Sequence, residues 1–187
     1  MSISYHPLTP RHFPGVITLG NMVHGANYLA AESLQTIYNK SFHNGINASW
    51  VAMDTHKVVG FRLTLAHTQW QPDKWCSPSH WPVATKTVCY FKCNTVAPAH
   101  QGQNIGSTML KYSIDSAKKQ GAEAGLAHIW LASPGNSAFL YFRKNGGQLI
   151  RKHPDKWRYE ALYEGYDCPV CETLCNCEGA EMLLKFS

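Results

Sequence analysis

Four cysteines fall within ten positions, Cys168, Cys171, Cys175 and Cys177, and they have the most concentrated chemical potential in the chain. Four soft ligands at such close range suit one tetrahedral ion, and an all-cysteine sphere describes structural zinc. The C-x2-C-x3-C-x-C spacing is tighter than a paired C-x2-C ribbon and matches no ferredoxin pattern. Reduced structural cysteines, a local disulfide or metal buffering by a loop are the alternatives. Zinc with four protein ligands has a closed sphere, so it would hold a loop in place rather than catalyse.

A second stretch, Val96 to Ser107 (VAPAHQGQNIGS), joins a strand to a helix through small and polar residues. Such a turn gathers unpaired backbone N–H groups at a helix N-terminus, where the helix dipole also favours negative charge. The chemistry this suits is the binding of a pyrophosphate. Taken alone, Gly102 and Gly106 are a weak signal, because many such turns only connect two elements.

The elements that must position these groups come from a chain of 187 residues, 44% hydrophobic and 16% charged. That composition excludes disordered, collagenous and coiled-coil chains, and the length suits one domain over 1–187 with a core that needs no staples. Of the 17 Lys and Arg that set the net charge of +5, no run reaches five. Neither a nucleic-acid nor a membrane partner is expected. The N-terminus, MSISYHPLTPRHF, lacks a secretory pattern, and with seven cysteines, an odd count, a reducing cytoplasm is expected.

Ser49 to Asp54 and Lys57 to His67 read as an antiparallel hairpin, Thr87 to Val96 as a third strand and Leu126 to Leu131 as a fourth. Ile105 to Gln120 carries Met109, Leu110, Ile114 and Ala117 on one helical face and stops at Gly121. One or two helices are expected over Met22 to Tyr38, a helix over Ser137 to Lys144, and strands at Gln148 to Arg151 and Glu181 to Phe186. The fold class is therefore α/β, a mixed, mostly antiparallel sheet flanked by helices. Two irregular insertions interrupt it: 69–82, with Trp70, Trp75 and Trp81, and 154–179, with the cysteine cluster. The tryptophans are expected mainly to pack against the sheet, with an aromatic wall over a substrate as the alternative.

Over residues 49 to 150 the order of elements and the motifs resemble the GNAT superfamily of N-acetyltransferases. Val96-Ala97-Pro98 followed by Gln101, Gly102, Gln103, Asn104, Ile105 and Gly106 is similar to the family signature V-x-P then Q/R-x-x-G-x-G/A, with Asn104 at the middle glycine. Asparagine is the non-glycine residue that best tolerates a left-handed backbone. The resemblance implies the acyl-CoA N-acyltransferase architecture and acetyl-CoA as acyl donor. Gln101, Gly102, Gln103, Asn104, Ile105, Gly106 and Ser107 would hold its pyrophosphate, Thr95 and Val96 would pair with the pantetheine arm, and Asn136 would contact the cofactor beyond it.

The resemblance further implies direct transfer of acetyl to a primary amine of a small molecule or peptide, and it is compatible with a homodimer. The oxyanion would be held by backbone between Asn94 and Val96. The family tyrosine that protonates the departing thiolate falls, by count from Gly146, on Phe142; Tyr141, one residue earlier, is the candidate, with packing as the alternative role. Val83 to Val96 contains no carboxylate to act as base. His128 is the first candidate for that role, with His67 and His24 behind it, since histidine has a suitable intrinsic pKa. The missing carboxylate and Phe142 also motivate an alternative, a non-catalytic acyl-CoA-binding or metal-responsive module. A zinc-containing nucleic-acid binder is a third and weaker reading.

Overall fold

The computed structural model describes residues 3–171 and 174–187. The strands are β1 (Ile3–Pro7), β2 (Phe42–His43), β3 (Ile46–Asn47), β4 (Trp50–Asp54), β5 (Lys57–Leu65), β6 (Val88–Val96), β7 (Ala124–Trp130), β8 (Gln148–His153) and β9 (Gly179–Lys185). The helices are α1 (Phe13–His24), α2 (Ala31–Lys40), α3 (Ile105–Gln120), α4 (Ser137–Lys144) and α5 (Arg158–Tyr163). Seven strands form one sheet in the order β1-β4-β5-β6-β7-β9-β8, and β2 pairs with β3 separately. Every neighbouring pair in the large sheet is antiparallel except β6 with β7. Among the described residues, no helix is long and apolar enough to cross a membrane.

Helices cover both faces. Phe13, Val16, Leu19, Leu29 and Leu34 of the α1–α2 layer pack on Phe61 and Leu63 of β5. On the opposite face α3 buries Ile105, Met109, Leu110, Ser113 and Ala117, the i, i+4 and i, i+3 rhythm of one helical stripe. Its last turn ends on Gly121 at φ 98°, a left-handed C-cap that removes the steric cost of a side chain there.

Several elements depart from the sequence expectation, the short strands β2 and β3 among them. Helix α1 starts at Phe13, well before Met22, although its segment contains Pro14, Gly15 and Gly20. Both glycines are contact points: a Cβ on Gly15 would stand 2.7 Å from Val58 Cγ2, and one on Gly20 2.9 Å from Leu29 Cδ1. The close approach of the helix to its neighbours offsets their poor helix propensity. Strand β1, an edge strand with alternating exposure, was not anticipated. The second insertion is not wholly irregular, since it contains α5.

The tryptophan-rich insertion packs against the sheet. Trp81 joins Val88, Ala124, Leu126 and Leu183 in one apolar cluster, with Trp70 against it. The Trp70 indole donates to Val88 O at 2.7 Å. The Trp81 indole and the Ser77 N–H both donate to Glu181 Oε1, at 2.9 and 2.8 Å. Glu181, on β9, is completely buried.

Candidate active site

Strands β6 and β7 pair only where Val88, Cys89 and Tyr90 face Ala124, Gly125 and Leu126. Beyond that point β6 continues to Val96 bonded to β5 alone, and β7 continues to Trp130 bonded to β9 alone. The two strands therefore part, and β6 has a free edge. Within β6, Leu63 pairs with Cys93 and Thr64 with Phe91, so Lys92 is the extra residue of a bulge. A bulge shifts the side-chain alternation by one. Phe91 thus packs with Leu110 and Phe142, whereas Cys93 packs with the α1–α2 layer.

At the end of β6 the backbone turns into α3 through Gly102 at φ 78° and Asn104 at φ 60°. Asn104 is thus left-handed, as its position in the motif requires. The first α3 hydrogen bond runs from Thr108 N to Asn104 O at 2.9 Å, so the N–H groups of Ile105, Gly106 and Ser107 point out of the helix end. Gln101 Nε2 braces the turn by donating to Val96 O at 3.3 Å. A β-branched residue in left-handed backbone costs about 1–2 kcal/mol, and here the strain would fall on the outward-pointing N–H groups of the turn. Asn104→Val is expected to weaken acetyl-CoA binding about tenfold by titration calorimetry; an unchanged Kd would remove this turn from the binding site.

Around the turn, Tyr141 donates its hydroxyl to Gly106 O at 2.9 Å and accepts from Arg62 Nη1 at 3.4 Å. Burial pushes its phenol up, against the pull of the Arg62 guanidinium. Phe142, at the family tyrosine's position by count, is 1% exposed and packs edge-on against Phe91. Asn145, which the sequence did not single out, ties α4 to α3 by donating from Nδ2 to Ser107 Oγ at 3.2 Å. Asn136 caps α4 in left-handed geometry at φ 52°. Its Oδ1 and that of Asn94 on β6 are buried with no partner among the described residues.

On the opposite face of β6 lies a cluster that the sequence reading only half found. His24 Nε2, at the end of α1, is 2.7 Å from Thr95 Oγ1 and 3.7 Å from Cys93 Sγ. The Cys93 sulfur is 3.3 Å from Thr95 Oγ1, and Tyr28 lies beside it. Burial alone would lower the imidazole and raise the thiol. Their mutual attraction overrides both, raising His24 and bringing Cys93 down to about 7. Thr95, expected through its backbone, therefore also contributes its hydroxyl here. Nothing in sequence spacing joins His24 to Cys93; the only local relation is that Cys93 and Thr95 stand at i and i+2 and so share one face of a strand.

His128 has a different setting. Its Nδ1 is 3.0 Å from the Tyr90 hydroxyl and its Nε2 is 2.6 Å from Trp75 O. The carbonyl requires Nε2 to carry the proton, so Nδ1 accepts from Tyr90 and has no lone pair left for a substrate proton. Burial drives its pKa down to about 4, with Lys156 adding to the effect. In this arrangement His128 fastens the tryptophan loop to β7. His67 lies beside Gly121 at the C-terminal end of α3, 3.8 Å from where a Cβ there would stand. At 16 residues α3 is about 24 Å long, which separates His67 from the phosphate turn.

The four clustered cysteines converge. Their sulfurs lie within 4.8 Å of one another. All seven cysteines of the chain are free thiols.

Residues 23–146 match the family model described as Acetyltransferase (GNAT) family. Among solved structures, Ard1 from Thermoplasma volcanium is similar at TM-score 0.70 and 10% identity, covering 100% of this chain and 99% of its own. Naa20 from Chaetomium thermophilum, in complex with a bisubstrate analogue, is similar at TM-score 0.72 and 15% identity, covering 98% of this chain and 86% of its own. The putative acetyltransferase yncA from Salmonella typhimurium, with its cofactor acetyl-CoA, is similar at TM-score 0.69 and 14% identity, covering 100% of this chain and 95% of its own. No curated protein matches by sequence. The parted strands, the left-handed turn and the family match over residues 23–146 agree: the chain belongs to the GNAT family of acetyltransferases.

Proposed function

We propose that the protein transfers an acetyl group directly from acetyl-CoA to a primary amine of a small molecule or peptide. The observation that carries this reading is the opening between β6 and β7, with outward-pointing N–H groups at the end of β6 and the His24–Cys93 pair on its other face.

In this reading the turn from Gln101 to Ser107 binds the pyrophosphate, and the free edge of β6 at Thr95 and Val96 pairs with the pantetheine arm. The pantetheine amide N–H groups give the buried Oδ1 atoms of Asn94 and Asn136 the donors they lack. Backbone between Asn94 and Val96 stabilises the tetrahedral oxyanion, a preorganised arrangement worth several kcal/mol of barrier. An acceptor ammonium has a pKa of about 10.4 and must lose a proton before it can attack. The His24–Cys93 pair, holding one proton between its two groups, takes up that second proton. The free amine then adds to the acyl carbon, and the carbon–sulfur bond breaks as the tetrahedral intermediate collapses. A thiol of pKa about 8.5 leaves as thiolate without obligatory protonation, and the proton that the nitrogen sheds on becoming an amide passes to that thiolate or to solvent. Tyr141, whose proton is already directed to Gly106 O, is assigned to positioning the turn.

The missing carboxylate, the chief motive for a non-catalytic module, is answered by this pair. The proposal includes a cytoplasmic setting that keeps the seven thiols reduced, and Zn2+ on Cys168, Cys171, Cys175 and Cys177 as a structural metal. Incubation with acetyl-CoA and a panel of amines, covering polyamines, amino sugars, peptide N-termini and peptide lysines, should release free thiol only when an acceptor is present. Acetyl-CoA binding without turnover on any amine would overturn the enzyme reading, and absence of binding would overturn the cofactor site as well.

A further inference from the structure

The segment from Asp167 to Asn176 poses an accounting problem. Among its described residues, no backbone–backbone hydrogen bond to the rest of the chain is made. The flanks are tied down: Tyr166 N bonds Glu160 O at 3.1 Å, Lys156 N bonds Cys177 O at 3.2 Å and Leu131 N bonds Glu178 O at 3.1 Å. Between them the chain nevertheless buries Cys168 and Cys175. Something other than secondary structure must hold this segment.

The sulfurs supply it. Cys177 Sγ lies 3.8 Å from Cys168 Sγ and 3.6 Å from Cys171 Sγ. A zinc–sulfur bond of about 2.3 Å gives a tetrahedron with edges of about 3.8 Å, whereas a disulfide needs about 2.05 Å. The surroundings are those of metal-bound thiolates. The backbone N–H groups of Val170 and Cys171 face the Cys168 sulfur, and that of Cys177 faces Cys175. The Trp130 indole N–H, buried and without an oxygen acceptor, faces the Cys177 sulfur. Donors directed at sulfur are the outer-shell partners that orient such ligands.

From this cluster a chain of contacts leads to the candidate base. Tyr166 lies beside both Cys168 and Tyr28. Tyr28 lies beside Cys93, and its ring lies 4.4 Å from that of His24. One residue on, the carbonyl of Asp167 stands 2.9 Å from where a Cβ on Gly25 would be. The cysteine loop thus touches the turn between α1 and α2 that carries both His24 and Tyr28.

Resting on the zinc reading, we infer that the metal seats Tyr166 and Asp167 against Gly25 and Tyr28, which makes the cysteine loop one wall of the amine-acceptor site. Native mass spectrometry of the full-length protein, before and after chelation, tests the metal; amide hydrogen exchange over residues 21–30 tests the wall. We expect one zinc per chain, replaceable by Co2+ with thiolate-to-cobalt charge-transfer bands. On stripping, exchange over 21–30 should accelerate about tenfold while acetyl-CoA affinity changes less than about twofold. Failure to bind Zn2+ or Co2+ overturns the metal reading and the wall with it. Metal uptake with exchange over 21–30 unchanged on stripping overturns the wall alone. Should the stripped protein unfold, Tyr166→Ala in the zinc-loaded protein decides: zinc retained with faster exchange over 21–30 upholds the wall, and zinc retained with unchanged exchange removes it.

Discussion

His24→Ala is expected to lower kcat/KM for acetyl transfer by about 10²- to 10⁴-fold, the range a positioned general base contributes. Affinity for acetyl-CoA should hardly change, because the imidazole lies on the face of β6 that packs against α1, away from the phosphate turn. The pH profile carries the sharper test. With two protons the pair is His24 imidazolium and Cys93 thiol, which cannot accept another. It becomes a base on losing one, so kcat/KM should rise as pH passes upward through about 7. Cys93→Ser removes the attraction that raises His24 and leaves burial to lower it. That limb should therefore move to lower pH with much of the rate preserved. In His24→Ala only the acceptor amine's own titration should remain. A limb near 7 that survives both substitutions would exclude the pair as the base.

The largest effect on stability is expected at Glu181. Its carboxylate accepts from Ser77 N, the Trp81 indole and His153 Nε2, the last at 3.2 Å, in a site with no exposure to solvent. Removing one member of such a buried polar group typically costs about 3–5 kcal/mol, because the partners are left buried and unpaired. Glu181→Ala should lose that amount in denaturant unfolding and about 10 °C in Tm at this chain length. The tryptophan loop should detach with it, exposing Trp81 to solvent quenchers. The sign with pH follows from the direction of the shift. Burial would raise the carboxyl, but the hydrogen bonds from Ser77, Trp81 and His153 outweigh it and hold it below the ordinary value. Its contribution is therefore complete above the unfolded carboxylate pKa and is lost as pH falls through the folded one. The wild-type Tm should drop on acidification more steeply than that of Glu181→Ala; equal slopes would show that Glu181 does not anchor the loop.

How far the molecule was legible from sequence depended on how local each determinant is. Helix α3 was read to the residue, because its apolar stripe, terminal lysines and Gly121 all lie within one segment. The turn from Gln101 to Ser107 is legible for the same reason: Asn104 adopts left-handed backbone within a six-residue motif. Helix α1 was misplaced because Pro14, Gly15 and Gly20 argue locally against a helix, and their compensation lies in contacts with Val58 and Leu29. His128 looked like a base by residue type, yet its role is set by Tyr90 and Trp75 at distant positions in the chain.

The sequence by itself determined the layer architecture, the left-handed turn into α3 and the four-cysteine loop, since each depends on residue types at short, countable spacings. Tertiary structure decided which histidine meets a reactive partner. A single bulged residue, Lys92, turns Cys93 and Thr95 toward α1 rather than α3. Side-chain alternation in a strand has a period of two, so one extra residue reverses every face beyond it. The bulge comes from the pairing of β6 with β5, and it joins residues 69 positions apart.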